Sequence, residues 1–119
     1  MPFQAELYYS QAQQLLQASR SDDAALRSAI SRAYYSALIV ARDAKGLATR
    51  GRAGHQAVID GYSGNAADNV VADNLRKLRA LREKADYQPK ETCMNAEGHH
   101  AIAHARKVLS YLRKLPATP

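Results

Sequence analysis

Apolar residues recur three and four positions apart over most of the chain, the spacing that lines one side of a helix. Residues 4 to 19 carry Leu7, Tyr8, Ala12, Leu15 and Leu16 among glutamines, which predicts an amphipathic first helix. Ser21 is placed to cap a second helix. The first turn of that helix holds Asp22 and Asp23, where its dipole favours acid, and its stripe is Leu26, Ile30, Ala33, Tyr34, Ala37, Leu38 and Ala41. Gly46 suits a left-handed ending. From Leu47 to Asn69 the pattern breaks on Gly51, Gly54, Gly61 and Gly64, so a long connection is expected, with His55 to Tyr62 its only helical piece. A third helix is predicted over residues 69 to 87, and a fourth follows a cap at Thr92 or Asn95. The stripe of the fourth is Ala101, Ile102, Ala105, Val108, Leu109 and Leu112, closed by Pro116.

Short links at 20–22 and 88–93 predict antiparallel neighbours. The expected fold is therefore all-α: an antiparallel four-helix bundle spanning residues 1–119 as one domain, with a long loop or short extra helix between helices 2 and 3. Composition agrees, because the 46% of apolar residues are mainly Ala and Leu, with one Phe and no Trp. A formal charge of +6, from 17 Lys and Arg against 11 Asp and Glu, fits an anionic partner such as RNA, nucleotide or an acidic protein, and fits simple solubility equally. The single cysteine, Cys93, excludes an intrachain disulfide and a cysteine metal cluster, which accords with a reducing cytoplasm. The segment MPFQAELYYSQ has no basic region followed by an apolar run, and no stretch reaches membrane-span length, so neither export nor insertion is expected.

The most informative stretch is LRKLRALREKADYQP, residues 75–89. Read as a helix it aligns Val71, Leu75, Leu78, Arg82 and Ala85, so an arginine occupies a slot meant for a hydrophobe. Asp86 lies one turn further on, Tyr87 follows it, and Pro89 ends the helix. Arg82 could bind phosphate through its planar fork, or pair internally with Asp86. Arg76, Lys77, Arg79 and Lys84 share this helix and Arg32 faces it if helices 2 and 3 are neighbours, giving a candidate phosphate-binding surface. A solvated face, with Arg79 spent on Glu83, is the other reading. Tyr34 and Tyr35 offer core and groove packing or a base-stacking platform. Glu97, His100 and His104 share a helical face at offsets a metal could use, but no second acidic or cysteine cluster supports them, and the reading calls for no metal and no cofactor.

Together, RSAISRAYYSALIVARDAKG at 27–46, HQAVIDGY at 55–62, LRKLRALREKADY at 75–87 and ARKVLSYLRK at 105–114 resemble the HEPN family. Within it the chain is similar to small stand-alone prokaryotic members whose third helix ends in an arginine followed by Ala-Asp-Tyr, here Arg82, Ala85, Asp86 and Tyr87. The resemblance implies an up-and-down helical bundle that dimerises, and RNA binding or metal-independent RNA cleavage in a toxin–antitoxin or defence system. It also implies an antitoxin or a minimal nucleotidyltransferase as partner, with Tyr87 the counterpart of a modified tyrosine. Arg82, Asp86 and Tyr87 are then the candidate catalytic residues, Tyr87 orienting a 2′-hydroxyl or standing as a half-buried ring. Nuclease members carry a histidine separated from the arginine by four to six residues; counted from Arg82, those positions hold Tyr87, Gln88 and Pro89. The alternative is a non-catalytic interaction module with a protein partner. Arg50 and His55 repeat the arginine–histidine spacing inside the glycine-rich connection, where the match reads as chance.

Overall fold

Four helices form where the apolar periodicity is sustained, and α3 adds a fifth where it is not. They are α1 (Glu6–Ser19), α2 (Asp23–Ala44), α3 (Gly51–Gly61), α4 (Asn69–Tyr87) and α5 (Asn95–Tyr111). The structure, a computed structural model, describes residues 6–19, 22–47, 51–88, 93 and 95–114. Ser21, Arg50, Pro89, Thr92 and Pro116, each given a role above, lie outside the described residues. The fold is an all-helical bundle. No helix among the described residues is long and apolar enough to cross a membrane.

The bundle is built around α2, which packs against α1, α4 and α5 and touches α3. Its buried stripe runs Leu26, Ile30, Ala33, Tyr34, Ala37, Leu38 and Ala41, as the periodicity predicts. From α4 come Val71, Leu75 and Leu78, from α5 Ala105, Val108 and Leu109, all fully buried. Each large aliphatic side chain buried this completely stabilises the fold by about 1.5–3 kcal/mol before chain entropy is counted. Ala29, Ala33, Ala37 and Ala41 keep α2 thin enough for three neighbours. Gly98 of α5 serves the same end, since a Cβ there would meet Leu16 Cδ1 at 2.6 Å and Leu26 Cδ1 at 2.7 Å.

The ends of α2 are set by local chemistry. Asp22, one residue later than the expected Ser21, is the N-cap, its carboxylate accepting from the amides of Ala24 at 3.0 Å and Ala25 at 3.2 Å. At the other end Gly46 adopts φ +63°, and the Gly46 and Leu47 amides donate to the Asp43 and Arg42 carbonyls, closing the helix as expected of glycine. Lys45 then reaches the Gly61 carbonyl at 2.7 Å and Asp68 at 2.8 Å, tying the far end of the connection to α2.

Two expectations need correction. The first helix does not bury Leu7, which is 52% exposed; it turns Tyr9 and Ala12 inward, with Leu16 packed against the core. Tyr9, Ala12 and Leu16 are also spaced three and four apart, and this alternative stripe buries a whole aromatic ring. The helical piece of the connection after α2 starts earlier than the expected His55, because α3 runs Gly51–Gly61 and buries Val58 and Ile59. Glycine lowers helix propensity by about 1 kcal/mol per residue, and this apolar contact with the bundle offsets it.

Candidate functional site

Arg82 sits where the pattern of α4 placed it, on the inward face one turn beyond Leu78, with its side chain only 12% exposed. Its fork is divided among three oxygens. Nε donates to Asp86 Oδ2 at 2.9 Å, and Nη2 donates to the hydroxyls of Tyr35 at 2.6 Å and Tyr87 at 2.8 Å. The guanidinium carbon lies 5.7, 5.1 and 4.9 Å from the ring centroids of Tyr34, Tyr35 and Tyr87, so the cation is caged by three π faces. Nη1 has no hydrogen-bond partner among the described residues and is not sealed from solvent. A planar cation held on two sides with one donor open is suited to an anionic oxygen.

His55 was missed as a member of this cluster. From the first helical turns of α3 it packs against Tyr34 and Tyr35, with ring centroids at 5.7 and 5.9 Å, and its Nδ1 lies 3.0 Å from the Tyr34 hydroxyl. Its pairing with Arg50 by spacing is not what positions it. Burial lowers the pKa of His55, and the cations Arg82 and Arg79 lower it further, so the ring is neutral near pH 7. Burial pushes the Tyr34 phenol up to about 12, so its O–H stays protonated. That hydrogen needs an acceptor, and Nδ1 is the one supplied; the proton of neutral His55 therefore resides on Nε2. Nε2–H is thus a second donor in the aromatic cluster that contains Arg82.

Asp86 also connects α4 to α2, accepting from Ser31 Oγ at 3.3 Å. Beyond it opens a cleft of about 430 Å³ with α2 as its floor, bordered by Tyr8 of α1, Asp86 of α4, and Ser31, Arg32 and Tyr35. Arg32 therefore lines the same cleft as Tyr35 and Asp86, both of which bond Arg82. It is aimed by a 2.7 Å bond to Gln11 Oε1 and lies 5.5 Å from the Tyr8 ring.

The other basic residues of α4 do not form one surface. Arg76 bonds Asp73 and Ser63, while Arg79 bonds Gln56 at 2.8 Å and pairs with Glu83 at 3.4 Å beside the His55 cluster. Lys84 turns to α5 and pairs with Glu97 at 3.0 Å, and Lys77 lies near His104 on that side. Glu97 and His104 thus have different partners, since His104 Nδ1 meets Asn74 Oδ1 at 2.8 Å. Among the described residues no group of three or more His, Cys, Asp or Glu is placed to hold a metal.

A further arginine holds the site in shape. Arg27 Nη1 donates to the carbonyls of Lys84, Ala85 and Gln88 at 3.0–3.3 Å, satisfying the last turn of α4 from α2. Sequence spacing carries no signal for this, because the contact closes across nearly sixty residues. No protein-family model, curated protein or solved structure matches the chain.

Proposed function

We propose that this chain is an HEPN-like RNA- or nucleotide-binding protein of a toxin–antitoxin or defence module, its four long helices arranged as an antiparallel bundle that acts as a homodimer. The observation that carries the reading is Arg82: a caged, permanently charged guanidinium with Nη1 open, next to the neutral donor of His55. Catalysis is part of the proposal as a metal-independent cleavage, in which a 2′-oxygen attacks the adjacent phosphorus and the 5′-oxygen leaves. Arg82 would bear the charge developing on the phosphoryl oxygens and the His55 Nε2–H would hydrogen-bond the same phosphate without giving up its proton, while the proton of the 2′-hydroxyl passes through water to the departing 5′-oxygen.

Binding of purified protein to mixed single-stranded RNA across a salt series, with Arg82→Ala beside it and product analysis on the same samples, tests this. Salt-sensitive binding lost in the variant is expected, and 2′,3′-cyclic phosphate ends identify cleavage. Sedimentation analysis tests the dimer. RNA binding unchanged in Arg82→Ala rules the site out.

One observation favours a second reading. Three of the bonds of Arg82 are already spent on Asp86, Tyr35 and Tyr87, which is how a purely structural pin between α4 and α2 behaves. On that reading the chain is a non-catalytic module whose partner is a protein, such as a nucleotidyltransferase encoded alongside, and no RNA binds even at low salt.

A further inference from the structure

The cleft beside the Arg82 cluster has two unlike walls. On the α1 side Arg32 is fixed by Gln11 and the Tyr8 ring, yet no carboxylate neutralises it among the described residues, and its Nε and Nη2 have no hydrogen-bond partner there. Arg27, which also borders the cleft, differs in being paired with Asp23 at 2.6 Å. On the α4 side Asp86 takes both of its hydrogen bonds, from Arg82 and Ser31, at Oδ2, so Oδ1 is an acceptor with no donor among the described residues. Along the floor Ser28, Ser31, Tyr35 and Ile39 follow one face of α2 at steps of three and four, hydroxyls first and then ring and aliphatic surface.

We propose that this cleft binds one ribonucleotide unit, with the phosphate on Arg32, the ribose hydroxyls on Asp86 and the α2 serines, and the base against Tyr35 and Ile39. The polarity follows from charge, because Arg32 has no carboxylate partner among the described residues and attracts the phosphate, whereas Asp86, paired with Arg82, offers an acceptor to hydroxyls. The cleft volume of about 430 Å³ is within the range of small-ligand sites and takes one nucleotide. Aromatic surface beside a cation is the combination that holds single-stranded nucleic acid without reading its sequence. An acceptor aimed at the sugar favours ribose, since deoxyribose lacks the hydroxyl that would reach it. The proposal deepens the RNA or nucleotide reading above and rests on it, with the cleft receiving the nucleotide next to the phosphate held at Arg82. A free ribonucleoside monophosphate and a unit of an RNA strand share this chemistry.

The test titrates fluorescein-labelled hexauridylate and its deoxyuridylate counterpart by anisotropy, and UMP and uridine by amide chemical-shift mapping, against wild type, Arg32→Met, Arg32→Lys, Ser31→Ala and Arg82→Ala. Arg32→Met keeps the aliphatic stem, and thermal melting confirms that each variant is folded. The expected result is that Arg32→Met weakens hexauridylate at least fivefold and lowers its salt slope by about one, while Arg32→Lys restores part of the loss. UMP is expected to bind more tightly than uridine, shifting amides between Ser28 and Ile39, and ribose to be preferred over deoxyribose less strongly in Ser31→Ala. Binding lost in Arg82→Ala but untouched in Arg32→Met and Ser31→Ala overturns the cleft and leaves the Arg82 reading standing. Shifts with UMP but no RNA binding support the cleft as a free-nucleotide site and remove the RNA reading. No binding of any probe overturns both.

Discussion

Replacing Arg82 by Met tests whether the caged cation pins α4 to α2. The substitution keeps apolar volume in the slot and removes the fork. The bond to Tyr35, at 2.6 Å and partly buried, is charge-assisted and is worth about 1.5 kcal/mol. The Asp86 pair is discounted, because that carboxylate is 28% exposed, leaving about 0.5–1 kcal/mol. Tyr87, 61% exposed, adds little. The ring contacts contribute about another 0.5 kcal/mol and methionine recovers part of the packing, so a net loss of about 2–3 kcal/mol is expected. For a chain of this length that is a fall in Tm of roughly 8–15 °C. Denaturant unfolding followed by circular dichroism measures it, and a double-mutant cycle with Tyr35→Phe should return a coupling of about 1 kcal/mol or more. Tyr87→Phe should cost under about 0.5 kcal/mol. A loss below about 0.5 kcal/mol for Arg82→Met would refute the pin and leave Arg82 as a surface ligand site only.

The two structural histidines should show opposite tautomers in long-range nitrogen–proton spectra near neutral pH. His55 carries its proton on Nε2, whereas His104 carries it on Nδ1, because Asn74 Nδ2 is spent on the Val70 carbonyl and Oδ1 must accept. Both have pKa values held below 6.5, chiefly by burial, so the unfolded chain binds more protons than the folded one as pH falls through 6.5. Stability should therefore decline from about pH 6.5 down to the folded pKa values, and His55→Asn with His104→Asn should flatten that slope in thermal melts. Arg113 closes α5 at φ 60°, with the Lys114 amide donating to the Leu109 carbonyl, so Arg113→Gly should stabilise the fold by about 1 kcal/mol in denaturant unfolding. Arg27→Met should speed hydrogen exchange at Ala85 to Gln88, because the last carbonyls of α4 lose their cross-helix donor.

Periodicity by itself determined most of the bundle. The stripes of α2, α4 and α5 and the glycine end of α2 depend on residues within a turn or two of one another, where 3.6-residue spacing and capping chemistry act locally. The same spacing exposed Arg82 as out of place and tied it to Asp86. In α1 glutamines left two stripes open, and the choice of Tyr9 over Leu7 was made by packing against α2 and α5. Only the tertiary structure joined Arg82 to Tyr35, His55 to Tyr34, Arg27 to the end of α4 and Arg32 to Gln11. These contacts close across 21 to 58 residues, and a side chain's long-range partner is set by how helices cross. α3 lies between the two cases: its glycines argue locally against a helix, and the burial of Val58 and Ile59 against the bundle overrides them.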